Sequence, residues 1–109
     1  MNEEIEVYPG SGNVFKDLDL PDADERLAKA MLSIQIHEAI KKLHLTQTQA
    51  AELLGIDQPK VSALIRGRLK GFSMERLFHF LNLLGRDVQI VIKPKSRSKQ
   101  QGCLRVAAV

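Results

Sequence analysis

Residues 47–66 read QTQAAELLGIDQPKVSALIR, and this stretch decides the fold. Thr46, just upstream, is a good N-cap, and Gln49 three residues later completes a capping-box pattern. The helix opened there runs to about Leu54 and stops at Gly55, a residue able to take the left-handed conformation that closes helices. Asp57 then caps a second helix. Pro59 falls in its first turn, where a missing N–H costs nothing. That helix runs to about Arg66 and stops at Gly67. Two short helices joined through one glycine must cross steeply and closely. Close crossing asks for a small residue midway along the first helix, and Ala51 is there. It also asks for inward apolar side chains, which Ala50, Leu54, Ile56, Val61 and Leu64 supply.

Together these positions define a helix-turn-helix rather than a plain helical hairpin. The second helix of such a motif is the element that enters the major groove of DNA. Upstream, Pro21-Asp22-Ala23-Asp24-Glu25 is a helix-start signal with acids at the positive end of the dipole, and no Gly or Pro interrupts residues 22–54. Helical periodicity sorts the apolar residues of this long helix into two stripes. Leu32, Ile36, Ala39, Ile40 and Leu43 share the core side, while Leu27, Met31 and Ile34 lie nearly opposite. Three large apolar residues facing water call for a cover: the N-terminal arm, a second subunit or another protein.

Downstream, Ser73 is an N-cap without the full box, since Arg76 stands at the box position. It opens a helix over about residues 74–84, with Leu77, Phe78, Leu81 and Leu84 inward and Gly85 at its end. The period then changes from 3.6 to 2. Val88, Ile90 and Ile92 alternate with Gln89 and Val91, which predicts a strand closed by Pro94. One strand in a helical chain leaves N–H and C=O groups unpaired. Antiparallel pairing of two copies about a two-fold axis resolves this, and pairing with residues 5–8 is the intramolecular alternative. The expected class is therefore all-α: a four- to five-helix, repressor-like domain with one C-terminal strand paired across a dimer. The expected divisions are an acidic arm over 1–20, the helix-turn-helix domain with its dimerisation strand over 21–93, and a basic, unstructured tail over 94–109.

Composition narrows the function classes. The chain has 109 residues, enough for one domain, with 44% apolar and 5% aromatic residues, so Leu, Ile, Val and Ala must carry the packing. A single cysteine, Cys103, excludes a disulfide framework and a multi-cysteine zinc site, and reads as an ordinary thiol. No apolar run approaches the roughly 20 residues that cross a bilayer. The start MNEEIEVYPG lacks the order of a signal peptide, so a cytoplasmic location is expected. Charge is uneven. Residues 1–25 hold eight acids and one Lys, a balance of −7, while residues 26–109 hold fifteen bases against five acids, a balance of +10. A basic body fits a polyanion partner, and ordinary solvated surface charge accounts for it equally well. Lys93, Lys95, Arg97 and Lys99 in the tail either graze phosphates or only solubilise it. Catalytic motifs are lacking. His37-Glu38-Ala39-Ile40-Lys41 has Lys where a zinc protease needs its second His, and His44 and His79 have no ligand at useful spacing. Residues 10–15, GSGNVF, lack the third Gly of a dinucleotide loop. No enzyme, metal or cofactor is expected.

The run LTQTQAAELLGIDQPKVSALIRGRLKGFSMERL (45–77) resembles the Xre/Cro/repressor-type helix-turn-helix domain. The wider stretch 13–93, with NVFKDLDLPDADERLAKA upstream and LNLLGRDVQIVIK downstream, is similar to small Xre-type regulators of the HigA-like antitoxin subgroup. That resemblance implies a homodimeric repressor, and its subgroup implies the antitoxin of a toxin–antitoxin pair acting on its own operon. In such domains the first residue of the motif's first helix touches a phosphate, which matches Gln47. The start of the following helix reaches base edges, which matches Gln58, Pro59 and Lys60. Gln bonds an adenine edge bidentately, Lys reaches guanine or a phosphate, and Pro59 offers apolar contact alone. Ser62 lies on the same exposed face, and Arg66, Arg68 and Lys70 would hold the flanking backbone. Val88, Ile90 and Ile92 are the expected dimer strand. Leu27, Met31 and Ile34, with the acidic arm, are the expected surface for a small basic toxin of the RelE/HigB kind. A regulator without a toxin, of stand-alone or phage type, and a protein-binding bundle without DNA activity are the alternatives.

Overall fold

A computed structural model of the chain describes residues 23–98 and 100–108, and the backbone of residues 5–6. Its elements are β1 (Ile5–Glu6), α1 (Ala23–Lys42), α2 (Gln47–Leu54), α3 (Gln58–Ile65), α4 (Met74–Leu83) and β2 (Ala107–Ala108). The expected turn at residues 9–12, the apolar pair Val14 and Phe15, the helix-start residues Pro21 and Asp22, and Lys99 lie outside the described residues. The described helices give the expected all-α, repressor-like domain. The chain divides into two compact units, one of Lys29–Val88 and one drawn from both ends, Met1–Ala28 with Gln89–Val109.

α1 is a 20-residue helix, about 30 Å long at the usual rise per residue. Asp24 and Glu25 in its first turn and Lys41 and Lys42 in its last both complement its dipole. Within the 29–88 unit, Leu32, Ile36, Ala39 and Ile40 of α1 are buried, as the core stripe requires. Leu43 is the exception. It is 49% exposed, because α1 ends at Lys42 and the chain leaves the stripe there. His44 makes the turn in left-handed geometry, φ 55°, while Leu45 N–H donates to the carbonyl of Ile40. A histidine thus takes the place usually given to glycine at a helix end.

α2 packs on both α3 and α4. The core of this unit is completed by Ala50, Ala51 and Leu54 of α2, Val61 and Leu64 of α3, Phe72, and Leu77, Phe80, Leu81 and Leu84 from the α4 segment. Burying each large aliphatic side chain contributes about 1.5–3 kcal/mol. Ile56 is only partly buried, short of the full burial expected of it. On α4 the inward aromatic residue is Phe80, and Phe78 is half-buried. Phe80 packs edge-on against Phe72, with ring centroids 6.0 Å apart, and this aromatic contact selects it over Phe78.

In the unit built from the two chain ends, β1 and β2 pair antiparallel, Ile5 opposite Ala108 and Glu6 opposite Ala107. Leu104 N–H donates to Asp24 Oδ2 at 3.4 Å. Two features here concern the expected tail and strand. The tail 94–109, expected to be unstructured, contributes β2. Residues 88–92 form no strand within this chain; Ile90 is 71% and Ile92 93% exposed. A strand persists only where a neighbour takes its backbone groups. The N-terminal piece considered for that part pairs with Ala107–Ala108 instead.

Candidate nucleic-acid interface

The site begins with two helix starts. Thr46 Oγ1 accepts from Gln49 N–H at 3.1 Å, and Thr46 N–H donates to Gln49 Oε1 at 2.9 Å, so the predicted capping box is formed. It leaves Gln47 exposed as the first residue of α2. At the other end of α2, Gly55 has φ 71°, and both its N–H and that of Ile56 donate to the carbonyl of Ala51. One left-handed residue therefore ends α2 and redirects the chain within three residues to the start of α3. Ala51 is buried, as a close approach of the two helices demands.

Asp57 caps α3: its Oδ1 accepts from Lys60 N–H at 2.9 Å. Pro59 sits in the first turn, where its ring costs no hydrogen bond. The apolar spacing then orients α3. Val61 and Leu64, three residues apart, are fully buried, so the opposite face is turned outward. Gln58, Pro59 and Lys60 are exposed and Ser62 is half-buried. α3 ends at Ile65 with Arg66 as its C-cap, after which Gly67, φ 76°, turns the chain and Arg68 N–H donates to the carbonyl of Ala63. Arg66, Arg68 and Lys70 are all exposed on the segment that follows. Residues 58–70 carry four bases and no acid, and Asp57 beside them is turned onto the amide of its own helix. The eight residues expected at a nucleic-acid surface thus fall on the start of α2, the start of α3 and the basic turn after α3. Leu27 and Met31 on α1 are partly covered and Ile34 is 50% exposed.

Two features escaped the sequence reading. Ser33 is buried, and its hydroxyl donates to the carbonyl of Leu64 at 2.6 Å, tying α1 to α3. Nothing in the local sequence distinguishes this serine from a solvent-facing one. The other is Arg76, whose guanidinium carbon lies 5.2 Å from the Phe72 ring centroid and 5.4 Å from that of Phe80. The four-residue spacing of Arg76 and Phe80 along α4 was visible, but Phe72 precedes the helix and its place is set by the tertiary fold.

A short, buried-faced helix crossing a capped partner, with a basic outward rim, defines a helix-turn-helix DNA-binding domain. The comparisons with known proteins agree. A family described as a helix-turn-helix domain matches residues 14–93. A solved structure described as a candidate XRE-family transcriptional regulator is 47% identical, with a TM-score of 0.75, covering 82% of this chain and 100% of its own. No curated protein matches the sequence. The chain belongs to the XRE family of helix-turn-helix transcriptional regulators. Membership implies a DNA-binding protein rather than an enzyme. Among the described residues, no helix is long and apolar enough to cross a membrane.

Proposed function

We propose that this protein is a sequence-specific repressor that acts as a cytoplasmic homodimer, with α3 of each copy in a major groove of double-stranded DNA. The observation that carries the reading is the outward first turn of α3, Gln58-Pro59-Lys60, held by the Asp57 cap and backed by buried Val61 and Leu64. Gln58 reads a base edge, Pro59 offers an apolar contact, Lys60 reaches a phosphate or guanine, and Ser62 lies along the same face. Gln47, Arg66, Arg68 and Lys70 fix the register through phosphates. Half-sites of a palindromic operator would stand about 34 Å apart or a multiple of that. Dimerisation runs through residues 88–92, where Val88, Ile90 and Ile92 alternate along the segment and Ile90 and Ile92 stand exposed for pairing with a copy of themselves. Footprinting on the chain's own promoter tests this reading. Protection of a two-fold symmetric site supports it, and equal affinity for promoter and scrambled DNA removes it.

The finer role we infer is that of an antitoxin repressing its own operon. The −7 arm and the α1 stripe of Leu27, Met31 and Ile34, with Ile34 half exposed, suit a small basic toxin. Co-expression with the product of a neighbouring gene for a small basic protein tests it, and unrelieved toxicity leaves a regulator without a toxin.

A further inference from the structure

The turn after α3 carries its cations on flexible side chains, but one nearby cation is held in place. Arg76 is exposed at the start of α4, and its guanidinium lies over two buried rings, Phe72 at 5.2 Å and Phe80 at 5.4 Å. Those rings meet edge to face at 74°. A guanidinium held against aromatic rings loses little further freedom when its N–H groups bind an oxyanion. Its place is fixed beside the basic turn. Phe72, the ring beneath it, follows Lys70 by two residues, and Phe72 N–H donates to the carbonyl of Leu69 to close that turn. The Arg76 guanidinium is therefore carried on a ring that closes the turn bearing Arg68 and Lys70.

We propose that Arg76 is a preorganised phosphate-binding residue that extends the DNA contact beyond the α3 turn onto α4. This rests on the DNA-binding reading above. A side chain serving only to cover the two rings would contribute to folding and leave DNA binding unmoved.

The test uses the full chain and titrates an operator duplex and an unrelated duplex over a series of salt concentrations. With Arg76→Gln, affinity for both duplexes is expected to fall by about tenfold at low salt, and the slope of log affinity against log salt to shrink by about one. Arg76→Lys keeps the charge and loses the planar fork. It is expected to retain the slope while losing about twofold to fivefold in affinity. Replacing single phosphates by methylphosphonate should reveal one position that weakens the wild type and not Arg76→Gln. An unchanged slope in a folded Arg76→Gln, or no such phosphate, overturns the proposal. Should Arg76→Gln fail to fold, the Arg76→Lys protein decides through the same phosphate scan. A wild type that binds neither duplex overturns the DNA-binding reading itself, an outcome distinct from loss of the Arg76 contact alone.

Discussion

The Ser33 hydroxyl donates a 2.6 Å hydrogen bond to the main-chain carbonyl of Leu64, 31 residues away in sequence, from a buried position. Leu64 belongs to the last turn of α3, whose carbonyls have no continuing helix to accept from. The bond therefore gives that terminal carbonyl a second donor beside Gly67 N–H and, at the same time, joins α1 to α3.

Replacing Ser33 by Ala should cost about 1 kcal/mol of stability. The loss stays at that modest level because the Leu64 carbonyl also accepts from Gly67 N–H at 3.2 Å. Urea unfolding measures it as a lower midpoint with an unchanged slope. No change in the midpoint would show that water replaces the hydroxyl without loss.

Gly55 should be replaceable by Ala only at the expense of its backbone geometry. Its φ is 71°, and a Cβ built there meets nothing within 4 Å. The penalty is then conformational rather than steric, about 1 kcal/mol. A loss of several kcal/mol on thermal unfolding would instead point to an approach between α2 and α3 too tight for a methyl group.

Gln58 and Arg68 are expected to fail differently. Gln58→Ala should lose about 1–3 kcal/mol on the operator and relax one base position, while Arg68→Ala weakens operator and scrambled DNA alike. Binding of a library of operator variants separates the two. Equal loss on both kinds of DNA for Gln58→Ala would remove it as a base reader.

Ile90→Pro should yield monomers with weakened operator binding, since proline removes a ladder donor from the segment proposed to pair between copies. Sedimentation reads the mass directly. A mass unchanged from that of the wild type would place the dimer contact elsewhere.

The helix-turn-helix was legible in sequence because its instructions are local. Thr46 with Gln49, Asp57 with Pro59, and glycines at 55 and 67 act within a few bonds, and each is found in the expected role. The outward face of α3 followed as directly, because Val61 and Leu64 fix which side is buried. The exposure of the candidate residues on that motif was readable to the same extent. Arg76 was missed because its setting depends on Phe72, which precedes α4, and on Phe80, whose burial the helical pattern assigned to Phe78.

Caps, turns and the buried stripe were thus determined by sequence alone, since propensity and periodicity act within one element. Only the tertiary structure decided which polar side chain crosses between helices, as Ser33 does, and which extended piece finds a partner, as residues 5–6 find 107–108. Those choices depend on groups distant in the chain, and a strand-forming pattern such as 88–92 specifies alternation without specifying the neighbour that completes it.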